Sequence, residues 1–233
     1  MNNDKTVVII ISRYNEDLKW TIEGIFNEFK YIVYNKGDNE DFEKTNVSKI
    51  INLLNVGRCA HTYLYHIVAN YDNLADIEVL LPGSLDLEYK RERAIQMLTR
   101  VKLDKNAVFI GEYSPDVYSK FKNFKLDNWL SSHGKNASKN KESKLTPCTV
   151  RPFGNWFNRY FGNKIQITFF AYWDVFSIDK RDIVQHPVSR YKTFLESDYL
   201  DTSSDPEVGH YFERSWCAVF HPMKHTKKIN RPF

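Results

Sequence analysis

Val7-Val8-Ile9-Ile10-Ile11 is an unbroken β-branched run that stops at Ser12-Arg13-Tyr14-Asn15-Glu16-Asp17. A short apolar run of this kind predicts a strand buried on both faces, as in a parallel sheet. A helix is expected over residues 18–29 and a second strand over residues 31–34, ending at the turn signal Asn35-Lys36-Gly37-Asp38. Residues 50–54 predict a short third strand. Ala60, Tyr63, Leu64, Ile67 and Val68 recur at helical spacing, so residues 58–70 predict a helix with that face on the sheet. A fourth strand over residues 76–81 breaks at Pro82-Gly83 and leads into a charged helix over residues 87–98. Later strands are expected at residues 108–110, 165–170 and 174–178. Asp205-Pro206-Glu207 is a helix start, with the helix running to about residue 220.

Strands alternate with helices through the first hundred residues. The expected fold is therefore α/β, with a mostly parallel central sheet, helices on both faces and a mixed edge from the second half. Ligands in such sheets bind beyond the carboxyl ends of the strands. Residues 12–16, 35–38, 55–58 and 82–86 should meet on that rim. Ser12, Arg13, Tyr14, Asn15 and Glu16 would then face a ligand, or form a solvated loop with Asn15 or Asp17 capping a helix. Asn55-Val56-Gly57-Arg58 puts backbone N–H groups and a guanidinium at a helix start, an anion site or simply a turn. With Lys36 and Asp38 these complete the expected nucleotide-binding set.

Composition narrows the picture. The chain has 233 residues, enough for one large domain with a full core and short for two. A net charge of +4 is too mild for a nucleic-acid reader, and the excess collects at residues 135–144 and 224–231, expected to be solvated loops. Three scattered cysteines without a CxxC fit a reducing compartment rather than a disulfide framework or zinc site. Residues 7–11 are too short to span a bilayer. The chain is expected to be cytoplasmic, with no nucleic-acid partner and no stable membrane insertion.

On the last helix, Glu207, His210 and Arg214 fall within about 60° of one another, with Glu213 beside them. Val208, Phe212, Trp216 and Val219 form the opposite, apolar face. A stripe with carboxylates and an imidazole could activate an acceptor hydroxyl, or serve as a surface salt-bridge ladder. Trp156, Trp173 and Tyr211 are candidate platforms for sugar rings, with Arg151 beside them.

Tyr14-Asn15-Glu16 after a first strand resembles the opening of nucleotide-sugar glycosyltransferases of the GT-A type. Those enzymes hold a divalent cation with an Asp-x-Asp after the fourth strand, where this chain has Ser84-Leu85-Asp86, followed by Glu88. Longer stretches are similar to a family of short GT-A-like proteins of large DNA viruses, fungi and bacteria. That family has long been catalogued as a domain of unknown function, and its viral members include glycosyltransferases that build capsid glycans in algal viruses. The matching residues are Arg13-Tyr14-Asn15-Glu16-Asp17, Val33-Tyr34-Asn35-Lys36-Gly37, Asn55-Val56-Gly57-Arg58, His61-Thr62-Tyr63-Leu64, His66-Ile67-Val68, Asn70-Tyr71-Asp72, Arg151-Pro152-Phe153-Gly154 and Glu207 through Trp216.

The resemblance implies one GT-A-like domain over residues 1–223, with a nucleotide-sugar half (1–100), an acceptor half (101–223) and a basic tail (224–233). It implies transfer from a nucleotide-sugar donor, UDP-linked, to a hydroxyl of a glycan or glycoprotein, in the host cytoplasm if the protein is viral. Asp86 and Ser84 would hold Mn²⁺ or Mg²⁺, and Glu207, His210 and Glu213 would be catalytic. Two positions depart from the family: Cys59, where an acid is frequent, and Pro82-Gly83-Ser84, where an acid would complete the metal motif. A non-catalytic nucleotide- or carbohydrate-binding module of the same fold is the alternative.

Overall fold

A computed structural model describes residues 5–126, 145–162 and 165–231. The central sheet has five strands: β1 (Val7–Arg13), β2 (Tyr31–Asn35), β3 (Val47–Asn52), β4 (Ile77–Pro82) and, after two strands of a second sheet, β7 (Phe176–Asp179). Their order is β3-β2-β1-β4-β7. The first four are mutually parallel, and β7 closes the edge antiparallel to β4. The expected mostly parallel sheet with a mixed edge is therefore present. The strand of residues 108–110 is β5 (Val108–Tyr113), but it lies in a second sheet, between β6 (Phe169–Phe170) and β8 (Lys227–Asn230).

Period-two alternation sorts the core into two layers. Ile10, Tyr34 and Leu80 point to one face and meet Ala60, Tyr63, Leu64 and Ile67 of α1 (Arg58–Ala69). Ile9, Ile11, Val33, Val79 and Leu81 point to the other and meet Ala94, Met97, Leu98 and Val101 of α2 (Glu88–Asp104). The first layer also holds the aromatic cluster of α4 (Phe153–Phe161), α6 (Val188–Leu195) and α7 (Val208–Val219). Two short helices, α3 (Val117–Phe121) and α5 (Lys180–Val184), complete the set among the described residues.

Three expectations change. Residues 18–29 form two 3₁₀ turns, Lys19–Ile22 and Gly24–Glu28, instead of one helix. Glu23 is extended and Gly24 has φ +50°, so the helical hydrogen-bond ladder is cut between them. The basic tail is not a solvated loop over residues 227–230. There β8 pairs in parallel with β5, and the Asp182 carboxylate takes the N–H groups of Lys224, His225 and Thr226. The final helix is buried nearly all round, where a polar outer stripe was expected. The lysine-rich segment 135–144 lies outside the described residues. Among the described residues no helix is long and apolar enough to cross a membrane.

Candidate functional site

The chain leaves β1 toward β2 on one side and returns to β4 on the other. The sheet's switch point therefore lies between the carboxyl ends of β1 and β4, the place where such sheets open a crevice. Ser12 ends β1 there and shares a 2.8 Å hydroxyl–hydroxyl hydrogen bond with Thr62 of α1. Ser84 follows β4, and its Oγ accepts a hydrogen bond from Lys90 Nζ at 2.9 Å. Gly83 N–H donates to Ser12 O at 2.7 Å, which ties the two strand ends together.

Near this switch point sits Asp174, just before β7, the strand that pairs with β4. Its backbone is left-handed (φ +55°), as is that of Trp173 (φ +76°), a conformation that costs a non-glycine residue energy. The turn is held from two sides: Tyr63 Oη donates to Asp174 O at 2.8 Å, and Trp216 Nε1 donates to Asp174 Oδ1 at 2.9 Å. Burial pushes the Asp174 carboxyl up to about 7 and the charge of Glu213 adds to this, while the Trp216 hydrogen bond and the charges of Lys90 and Arg58 oppose it. For Glu213, burial acts upward but is outweighed by His210, Arg214 and Lys90, which hold it below the usual carboxylate range. His210 Nδ1 lies 3.6 Å and Arg214 Nη1 3.8 Å from Glu213 Oε2. The two carboxyls thus differ in role: Glu213 is the fixed anion, and Asp174 can take a proton near neutral pH. Cys59, in the first turn of α1, has its thiol pushed up to about 12, first by burial and then by Asp174, and is not a nucleophile.

A second concavity borders the ends of β2 and β3. An open groove of about 320 Å³ is lined by Asn35, Lys36, Gly37, Asp38, Glu40, Asn52 and Leu53. Its wall requires glycine at 37, because a Cβ there would overlap Tyr14 O and Asn15 Oδ1. Tyr14 is 51% exposed above this rim, and Asn15 and Asp38 are exposed as well.

The expected anion-binding cations are used elsewhere. Arg13 is fully buried. Its Nε donates to Glu16 O at 2.7 Å, its Nη1 to Asn35 Oδ1 at 2.5 Å and Asn39 O at 2.6 Å, and its guanidinium covers the Phe42 ring at 4.1 Å. Lys36 is buried and donates to Val56 O at 2.6 Å and Arg58 O at 2.5 Å, which fixes the turn entering α1. Arg58 Nε pairs with Asp205 Oδ1 at 2.6 Å. Gly57, at φ +60°, admits the 200–203 loop: its N–H donates to Ser203 O at 2.7 Å, and a Cβ would strike Leu200 O. Asn55 is exposed on the same turn. Glu16 closes its own loop, accepting from Tyr14 N–H at 2.7 Å. Arg13, Lys36, Gly57 and Glu16 therefore build the rim.

Other expected roles do not survive burial. Glu207 is 0% exposed. It accepts from Leu126 N–H (2.7 Å), Cys148 N–H (2.9 Å) and Tyr211 Oη (2.9 Å), and Arg151 Nε lies 2.8 Å away. With three hydrogen bonds and one ion pair, the residue is a buried tie between the 145–151 segment and α7. Trp156 and Tyr211 are packed inside the aromatic cluster with no face open to a sugar. Arg151 is spent on Glu207 and on Leu126 O. Trp173 is half-buried next to Asp174, and its ring lies tilted at 58° to that of Tyr89, with centroids 4.6 Å apart.

Of the two residues expected to hold a divalent cation, Ser84 is committed to another partner. Ser84 Oγ already faces an ammonium, which repels a second positive charge. Asp86 is exposed, and among the described residues no three His, Cys, Asp or Glu side chains group as a metal site.

Sequence pattern does not single out Lys90 and Asp174. Lys90 is one charge among many on a charged helix. The one signal for Asp174 is an acid placed between Tyr172-Trp173 and an apolar strand. No curated protein matches the chain. One family model covers it almost from end to end, over residues 8–231, and the chain accordingly belongs to the family described as protein of unknown function (DUF3431).

Proposed function

We propose that the protein is a glycosyltransferase that moves a sugar from a nucleoside diphosphate, UDP-linked, to a hydroxyl of a glycan or glycoprotein. The observation that carries this reading is the buried Asp174 turn before β7, gripped by Tyr63 of α1 and Trp216 of α7, with Glu213 three residues before that tryptophan and paired with His210 and Arg214. Glu213 is held ionised and Asp174 is poised to exchange a proton near neutrality. Group transfer to a hydroxyl is accelerated by both features: a base for the acceptor proton and a fixed anion facing the developing positive charge on the sugar.

In this reading the groove along Asn35, Asp38, Asn52 and Leu53 takes the nucleoside. Tyr14 covers it, and the diphosphate runs toward Ser84. The acceptor oxygen attacks the anomeric carbon and passes its proton to Asp174. The bond from that carbon to the diphosphate oxygen breaks, and the electron pair leaves with the nucleoside diphosphate. Glu213, kept anionic by His210 and Arg214, faces the sugar's positive charge. Glu207 has no part in the chemistry.

The test is incubation of the protein with a panel of UDP-sugars, with release of UDP as the readout and Asp174→Asn as the inactive control. Slow donor hydrolysis that stops in the variant is the expected result. Binding of UDP with no release from any donor would replace the enzyme by the binding-module reading, and absence of both would overturn the nucleotide-sugar reading.

A further inference from the structure

We propose that Lys90, anchored on Ser84, is the cation that neutralises the departing diphosphate, so that the protein uses its donor without a divalent metal. The inference rests on the glycosyltransferase reading and adds how its leaving group is met.

Four observations lead to it. A diphosphate at the switch point must be met by positive charge, and the three cations nearest the rim by sequence are engaged elsewhere. Arg13 is buried among carbonyls, Lys36 donates to two carbonyls, and Arg58 is paired with Asp205. Lys90 is different. Its ammonium reaches the second residue after β4, where Nζ meets Ser84 Oγ at 2.9 Å. An ammonium has three protons to donate, and this bond uses one.

The third observation is electrostatic. The charge of Lys90 favours the ionised forms of Cys59, Asp174 and Glu213 alike, a field that would also favour an anionic ligand. The fourth is its place in the helix. Lys90 is the third residue of α2, in the first turn, where the helix dipole disfavours a cation. A lysine there adds positive potential to the end that is already positive, an arrangement suited to an anion. The same ammonium occupies the hydroxyl that a metal would need. As the sugar–diphosphate bond breaks and the electron pair moves to the diphosphate oxygen, Lys90 donates hydrogen bonds to the new charge. No redox partner or further co-reactant is involved.

Calorimetric titration of wild type, Lys90→Met and Lys90→Arg with UDP, uridine and inorganic pyrophosphate, all in EDTA, tests the proposal. Wild type should bind UDP and pyrophosphate in EDTA. Lys90→Met should weaken both by about 10- to 100-fold, the cost of one charge-assisted hydrogen bond, and leave uridine unchanged. Lys90→Arg, which keeps the charge, should stay close to wild type. Uridine binding also reports that each variant is folded. Wild-type UDP binding that vanishes in EDTA and returns with Mn²⁺ overturns the proposal while the glycosyltransferase reading stands. So does a Lys90→Met variant that binds UDP as wild type does. Lys90-dependent binding of pyrophosphate without binding of UDP has the opposite meaning: the anion site stands and the nucleotide-sugar reading falls. A wild type that binds neither loses both.

Discussion

The Trp216 indole of α7 donates to Asp174 Oδ1 across the aromatic core, 42 residues away in sequence. A hydrogen bond to the ionised carboxylate favours that form, so it restrains the upward push of burial on Asp174. Trp216→Phe removes the donor and keeps the ring packing. The pH dependence of turnover should show an acid limb near 7 in wild type, because Asp174 must be ionised to accept a proton. In Trp216→Phe that limb should move to higher pH. A profile that stays in place would remove Asp174 from the proton transfer.

Asp174→Asn should lower turnover on the order of 100- to 10,000-fold, the range for loss of a general base. Its effect on stability has the opposite sign. The Asp174 pKa is raised in the folded protein, so between about pH 4 and 7 the folded state holds a proton that the unfolded chain has released. Stability from this group is therefore lost as pH rises through that window. Asparagine does not titrate, and the variant should melt higher than wild type at pH 8 while the gap closes toward pH 4. Thermal melts at the two pH values check this. A variant less stable than wild type at pH 8 contradicts the burial cost assigned to Asp174.

Glu207→Gln should act on stability alone. The carboxylate accepts from two backbone N–H groups and a phenol and faces Arg151. An amide replaces one acceptor by a donor and leaves the guanidinium without its counter-charge. Breaking a buried pair costs about 3–5 kcal/mol, which at this size lowers the melting temperature by roughly 6–20 °C. Turnover per folded molecule should be retained. A stable but inactive variant would return Glu207 to the chemistry.

These variants also show where the sequence is informative. The runs at residues 7–11, 31–34 and 76–81 announce their strands because a strand covered on both faces has almost no polar positions. Helix α1 is equally plain from its apolar spacing. Site roles were less legible, because a side chain's role depends on partners far along the chain. Arg13, Lys36 and Arg58 look like ligand-binding cations until Asn39, Val56 and Asp205 are placed beside them. Glu207 looks like part of an exposed stripe until Leu126 and Cys148 are folded over it. Asp174 becomes notable only once Tyr63 and Trp216 grip its turn.

Gly37→Ala should damage the nucleoside groove directly. A Cβ at this position would overlap Tyr14 O and Asn15 Oδ1, so the 14–16 loop must move. Overpacking of this kind costs about 1–3 kcal/mol. The measured consequence should be loss of uridine and UDP binding together, with the melting temperature lowered only modestly. Unchanged uridine affinity would place the nucleoside elsewhere.

Arg13→Lys separates shape from charge at the rim. The guanidinium satisfies three loop oxygens and covers Phe42, and a lysine keeps the charge but cannot make the fork. Loss of these buried bonds should cost on the order of 2–4 kcal/mol. Since the residue holds the 14–16 and 35–39 loops against each other, the groove should loosen, and affinity for uridine and for UDP should fall by the same factor. That equality is the discriminating quantity. A residue that touches the diphosphate, as Lys90 is proposed to do, changes the ratio of the two affinities, whereas a residue that only shapes the groove leaves the ratio alone. Titration of both ligands into Arg13→Lys reads it directly, and a selective loss of UDP binding would put Arg13 on the phosphates after all.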